Sequence, residues 1–131
     1  MTQIQLTDQQ LNRALAELIG YRVVRGDKLF RLCKDDVGCG GFQLSEDIAW
    51  QDTPDYCTDP AASLEVQTAA TKVNAKVYVD TLYDIRLTNE GYTPEIAIGE
   101  STYSHDGVVY LFDASPRERA EAAYITLQGS T

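Results

Sequence analysis

Three cysteines and one histidine are the residues whose types come closest to a reactive set. Cys33, Cys39, Cys57 and His105 together would supply three sulfurs and one nitrogen, a donor set that suits zinc. Their spacing argues otherwise. No pair follows the short Cys-x-x-Cys pattern, and five residues separate even Cys33 from Cys39. Asp35, Asp36, Glu46 and Asp47 lack the ligand order of a calcium-binding EF-hand loop. Ser104, His105 and Asp106 are adjacent in sequence, and adjacency does not make a nucleophile–base triad. Gly38, Gly40 and Gly41 are not followed by the Lys-Ser or Lys-Thr of a phosphate loop. Cys39, between glycines, has no base that the sequence can assign to it. Twenty acids allow many carboxylate pairs without singling one out. The expectation is therefore a protein with no catalytic residues, no metal and no cofactor.

Binding chemistry is better represented. Helix N-termini offer free N–H groups to anions, and Asp59 and Ser115 both stand where helices should begin. Asp59 fills its own cap and brings negative charge. Ser115 is followed by Arg117 and Arg119, a better anion setting. Arg22, Arg25, Lys28 and Arg31 place basic charge on the hairpin, and Arg25 and Lys28 at the turn together with Arg22 would form a cationic spot suited to a small anion such as a nucleotide signal. Trp50 and Tyr56 could stack on a base or ring; the plainer role for Trp50 is to cover the edge of the core. The candidate ligand-binding residues are thus Arg22, Arg25, Trp50, Tyr56, Ser115 and Arg117.

The elements that must position them follow from local signals. Thr7 and Gln10 make a capping box for a first helix ending at Gly20. Leu11, Leu15, Leu18 and Ile19 form its buried stripe. Tyr21 to Val24 and Lys28 to Leu32 read as a hairpin around Arg25, Gly26 and Asp27. That triplet is read as a turn, not an adhesion signal. Residues 33–55 form an irregular acidic insert, with Phe42, Leu44, Ile48 and Trp50 alternating loosely as in a strand. Asp59 as N-cap and Pro60 at the first position start a central helix. Ala62, Val66, Ala69 and Val73 line its apolar face, and Lys72 and Asn74 suit its end. Lys76 to Tyr83, continuing through Asp84 to Thr88, reads as β structure before a turn at Asn89 to Gly91. Pro94 to Ile98 and Val108 to Phe112 read as two further strands, the second reached through a polar turn region from Gly99. Tyr78, Tyr83, Tyr92, Tyr103 and Tyr110 decorate this meander. Ser115 and Glu118 box the last helix, with Pro116 at its first position and Ala120, Ala123, Tyr124 and Leu127 inward. The expected fold is a single α+β domain over residues 1–131. It has a mainly antiparallel sheet of about five strands covered by three helices, in the order α-ββ-α-βββ-α.

Charge bounds the partners. Acids outnumber bases 20 to 11, a net charge of −9. Such a chain repels nucleic-acid phosphate unless its basic residues cluster. No apolar run approaches the length of a membrane span. Residues 1–6 lack the features of a secretion signal, and an odd number of cysteines suits reduced thiols. A cytoplasmic protein is expected.

Three stretches carry a family resemblance. The run Leu11 to Tyr21, the run Tyr56 to Val66 and the run Ala114 to Ala123 resemble the phage ABA-sandwich domain proteins. Those are small phage and prophage proteins with a tyrosine, a Thr-Asp pair and an Ala-rich helix at the middle position. The chain departs from the pattern at Pro60 and in the acidic insert between Cys33 and Asp55. The resemblance implies a fold and a phage or prophage setting in a host bacterial cell, and no established activity. The expected role is an accessory protein that works by binding. It would sequester a small anionic, nucleotide-like defence signal or engage a host protein, with a homo-oligomer as one possible form. The alternatives are an acidic decoy for a host DNA-binding protein and a virion or assembly component.

Overall fold

A computed structural model describes residues 4–35, 37–91 and 105–129. Among them the order is α1 (Asp8–Leu18), β1 (Tyr21–Arg25), β2 (Phe30–Lys34), β3 (Val37–Gly38), α2 (Glu46–Trp50), α3 (Pro60–Asn89), α4 (His105–Phe112) and α5 (Pro116–Gln128). The strands form one antiparallel sheet in the order β1-β2-β3. The expectation of about five strands under three helices is therefore corrected: the described residues hold five helices and a three-stranded sheet.

The caps are where the sequence places them. Thr7 and Gln10 bond reciprocally at the start of α1, and Ser115 and Glu118 do the same at α5. Asp59 accepts from the Ala61 N–H, with Pro60 at the first helical position of α3. Each such cap is worth about 1 kcal/mol. Gly20, at φ +108°, turns the chain out of α1 into β1, a conformation that glycine reaches without a Cβ clash.

The correction lies in α3 and α4. Residues 76–88, expected as β structure, continue α3, and Val108 to Phe112 belong to α4. Val77, Val79, Tyr78 and Tyr83 have strand propensity, but propensity yields to burial. Tyr78, Leu82 and Ile85 are buried at a spacing of four and three residues, which only a helix brings to one side. The expected end at Asn74 survives as a kink. Its backbone leaves helical geometry (φ −159°, ψ 90°), and its side chain caps the second segment by accepting from the Val77 N–H at 3.2 Å. The inward face of the first segment, Ala62, Val66 and Ala70, holds up to this point, whereas Val73 is exposed. In the expected insert, Ile48 and Trp50 sit in α2, capped by Ser45, and not in a strand. The expected strand Pro94 to Ile98, the turn region up to Ser104, and Tyr92 and Tyr103 lie outside the described residues.

The core runs between helices. Ala120, Ala122 and Ala123 are fully buried, so α5 approaches α3 closely, and Leu11 and Leu15 of α1 close the same cluster. Full burial of each leucine contributes about 2 kcal/mol. Leu32 joins the cluster from β2, with Tyr21 and Val23 partly buried against it from β1. One sheet face is thereby packed on the helices.

Candidate functional site

Sheet register decides which hairpin residues are available. Val23 lies opposite Leu32 and Tyr21 opposite Lys34, on the packed face. Alternation puts Arg22, Val24, Arg31 and Cys33 on the other face. Leu29 accepts from the Gly26 N–H at 2.8 Å and closes the turn. Arg31 lies across Gly38, the neighbouring strand's residue without a side chain. A Cβ there would stand 2.1 Å from the Arg31 Cζ. Arg31 is held in this position by donating Nε–H to the Gly40 carbonyl at 2.7 Å, with its guanidinium 4.9 Å from the Phe42 ring centroid. Phe42 itself is 66% exposed.

These residues border an open groove of about 500 Å³, whose lining sets one acid, Asp27, beside Lys28 and Arg31, with Val24, Leu29 and Phe42 as its apolar part. That size falls within the 300–1,000 Å³ range of ligand clefts. Residues 20–34 carry five cations against one acid, Asp27, in a chain of net charge −9. Lys34 is tied to Glu65 at 3.7 Å, and Arg25 sits 5.8 Å from the Phe30 ring centroid. Neither Arg25 nor Lys28 has an ion-pair partner among the described residues.

The six sequence-derived candidates fall on separate parts of the fold. Arg22 and Arg25 lie on β1 but do not line the groove: Arg22 is on its face of the sheet, and Arg25 alternates to the other face, against Phe30. Trp50 is buried, with the Arg13 guanidinium 4.8 Å from its ring centroid, beside a smaller polar recess of about 310 Å³ lined by Gln10, Asp47 and Gln51. Tyr56 is fully buried, and its phenol is pushed above the ordinary range by burial, then by Tyr21 and Glu65. The pair thus presents no open ring face for stacking. Ser115 is occupied by its capping box. Arg117 donates to Asp8 Oδ1 at 2.8 Å and to the Leu6 carbonyl at 2.7 Å, and pairs with Glu121 at 3.5 Å. It fastens α5 to the start of α1, and its charge is matched by acids.

Sequence reasoning missed Phe42, the open ring at this site. Its signal was slight: one aromatic after Gly40 and Gly41, which the loose alternation with Leu44, Ile48 and Trp50 marks as a strand residue and not as a ligand contact. Cys57 is not poised as a nucleophile. Cys57 is buried and raised to about 12 by burial and by Asp8, against the opposing pull of Arg117. Among the described residues no group of three or more His, Cys, Asp or Glu side chains could hold a metal ion, and no helix is long and apolar enough to cross a membrane.

Compared with models of protein families, with curated proteins and with solved structures, the chain matches none.

Proposed function

We propose that this chain is a non-enzymatic binding protein whose hairpin groove takes a small anionic ligand bearing a flat ring, as a nucleotide does. The observation that carries this is the Arg31–Phe42 pair: an exposed aromatic ring held beside a guanidinium, with Lys28 on the same groove. A ring stacks on Phe42 at about 1–3 kcal/mol per base. The ligand's negative charge meets Lys28 and Arg31, the two cations that line the groove. The setting we propose is the cytoplasm of a bacterial host, with the protein as a phage or prophage accessory factor. The setting rests on the resemblance of the Leu11–Tyr21, Tyr56–Val66 and Ala114–Ala123 runs alone.

The test is thermal-shift and calorimetric titration of the purified chain with mononucleotides and cyclic dinucleotides. A ligand at a hundred times its Kd raises stability by about 2.7 kcal/mol. Phe42→Ala and Lys28→Glu should each weaken binding at least tenfold while leaving the melting temperature of the free protein nearly unchanged. No response to any nucleotide, or equal binding by both variants, overturns the reading.

A further inference from the structure

The second interaction surface is made of backbone. In antiparallel pairing, opposed residues alternate between exchanging two hydrogen bonds and exchanging none. The Gly26–Leu29 bond sets the phase, so Val24 with Arg31 and Arg22 with Cys33 are the bonded pairs. The other side of β2 agrees. Phe30 exchanges two bonds with Gln43, and Leu32 accepts from Cys39, so the even-numbered residues of β2 face away from β1. It follows that Tyr21, Val23 and Arg25 point their N–H and C=O groups away from β2. The sheet order places β1 at an edge, and among the described residues no strand pairs with that side.

An open edge is a template for another strand. Its flanking charge selects which one. A second copy of β1 would bring its own Arg22 and Arg25 to an edge that already carries both, and like charges brought together across a strand pair are destabilising. Cations on an edge are a known guard against self-pairing. An acidic strand meets the opposite situation: Arg25 and Lys28 lie at the turn end of the edge, in the segment with five cations and one acid. Val24, 40% exposed on the outer face, offers an apolar contact between them and the strand start.

We propose that the outer edge of β1, unpaired among the described residues, docks an extended acidic peptide segment of a partner protein as an added strand. Main-chain bonds to Val23 and Arg25 supply the pairing. The cations favour acids at the peptide positions near Arg25 and Lys28, and Val24 favours an apolar residue next to these, on the side toward the strand start. This surface is independent of ring stacking on Phe42, so the nucleotide reading and this one can fail separately.

The experiment uses the full chain and a fluorescent peptide of about eight residues alternating Glu and Val, long enough to span the strand. Binding is read by anisotropy. The comparison peptides replace Glu by Lys, or carry N-methyl groups on alternate residues and so lack the N–H groups of one edge. Saturable binding of the acidic peptide is expected, weakened at least tenfold by either change and by raised salt. Val23→Pro removes one outward N–H, and edge strands tolerate proline; it should weaken binding at least tenfold, as should Arg25→Glu with Lys28→Glu. Phe42→Ala should leave peptide binding unchanged. The proposal is overturned by no binding at millimolar peptide, by equal binding of the Lys peptide, or by equal binding of both N-methylated registers. Should Val23→Pro lose the far-ultraviolet spectrum of the native chain, the N-methylated peptides decide the question.

Discussion

Truncating Glu118 tests the joint on which the helical half depends. Glu118 and Arg86 are both buried, 6% and 8% exposed. Arg86 Nη1 donates to Glu118 Oε1 at 2.9 Å, Asn89 Nδ2 donates to Oε2 at 2.9 Å, and the Ser115 N–H donates to Oε1 at 2.8 Å. One carboxylate thus joins the end of α3 to the start of α5. Glu118→Ala removes all three bonds and strands a buried guanidinium, a change that costs about 3–5 kcal/mol. Glu90, 3.1 Å from Arg86 Nη2 and half exposed, retains part of the compensation, so the lower end, about 3 kcal/mol, is expected. For a chain of this length that is a fall in Tm of about 10 °C. Replacing Arg86 and Glu118 together by leucine should recover most of the loss, because no unpaired charge remains. The pH dependence has a definite sign. Burial pushes the Glu118 carboxyl up, but its bonds from Ser115, Asn89 and Arg86 outweigh this and hold it below the usual range. Its contribution is full above about pH 4.3, the unfolded-state value, and is lost as pH falls through the lower folded value. Urea titrations followed by circular dichroism should show the gap between native chain and Glu118→Ala shrinking in acid. A gap under about 1 kcal/mol at neutral pH, against the 3–5 typical of a broken buried pair, would refute the reasoning.

Thiol titration of the native chain at pH 8 should modify Cys39 quickly and leave Cys57 untouched, since Cys39 is exposed and the Cys57 thiol is both buried and raised to about 12; denaturant should release all three. Gly38→Ala should displace Arg31 from the Gly40 carbonyl and the Phe42 ring, costing about 1 kcal/mol of stability and weakening nucleotide binding at the groove, both measurable in one thermal-shift series. Asn12→Ala should cost about 2 kcal/mol, because the Cys57 N–H loses its acceptor inside the protein. In the same variant the Asp55 carboxyl, held low by Thr58 first and Asn12 second, should titrate at a higher pH by NMR.

What could be read from the sequence was local. The caps at Thr7, Asp59 and Ser115 depend on side chains a few residues apart, and each proved to be where the sequence puts it. The hairpin was legible for the same reason. The stretch after Asn74 was not, because Val77, Tyr78 and Val79 favour extended backbone and the helical spacing of Tyr78, Leu82 and Ile85 spreads over eight positions. Only packing settles which pattern governs. The same limit holds for the aromatics: type marked Trp50 and Tyr56, and sequence gives no sign that the fold buries both and leaves Phe42 open. Arg117 was a plausible anion ligand by position, and the acids that match it are 109 and four residues away in sequence.

The two halves of the molecule use their basic residues differently, and this bears on what can bind. In the helical half, Arg13, Lys76, Arg86 and Arg117 each pair with an acid, and Arg119 donates to the Ser63 hydroxyl. The hairpin segment holds five of the chain's eleven basic residues with a single acid. The remaining acids therefore dominate the rest of the surface. An extended polyanion laid on the hairpin would run onto that acidic surface within a few Debye lengths of about 8 Å. A small anion or a short acidic strand would not. Charge segregation on this scale is the physical reason that both partners we propose for the hairpin are short.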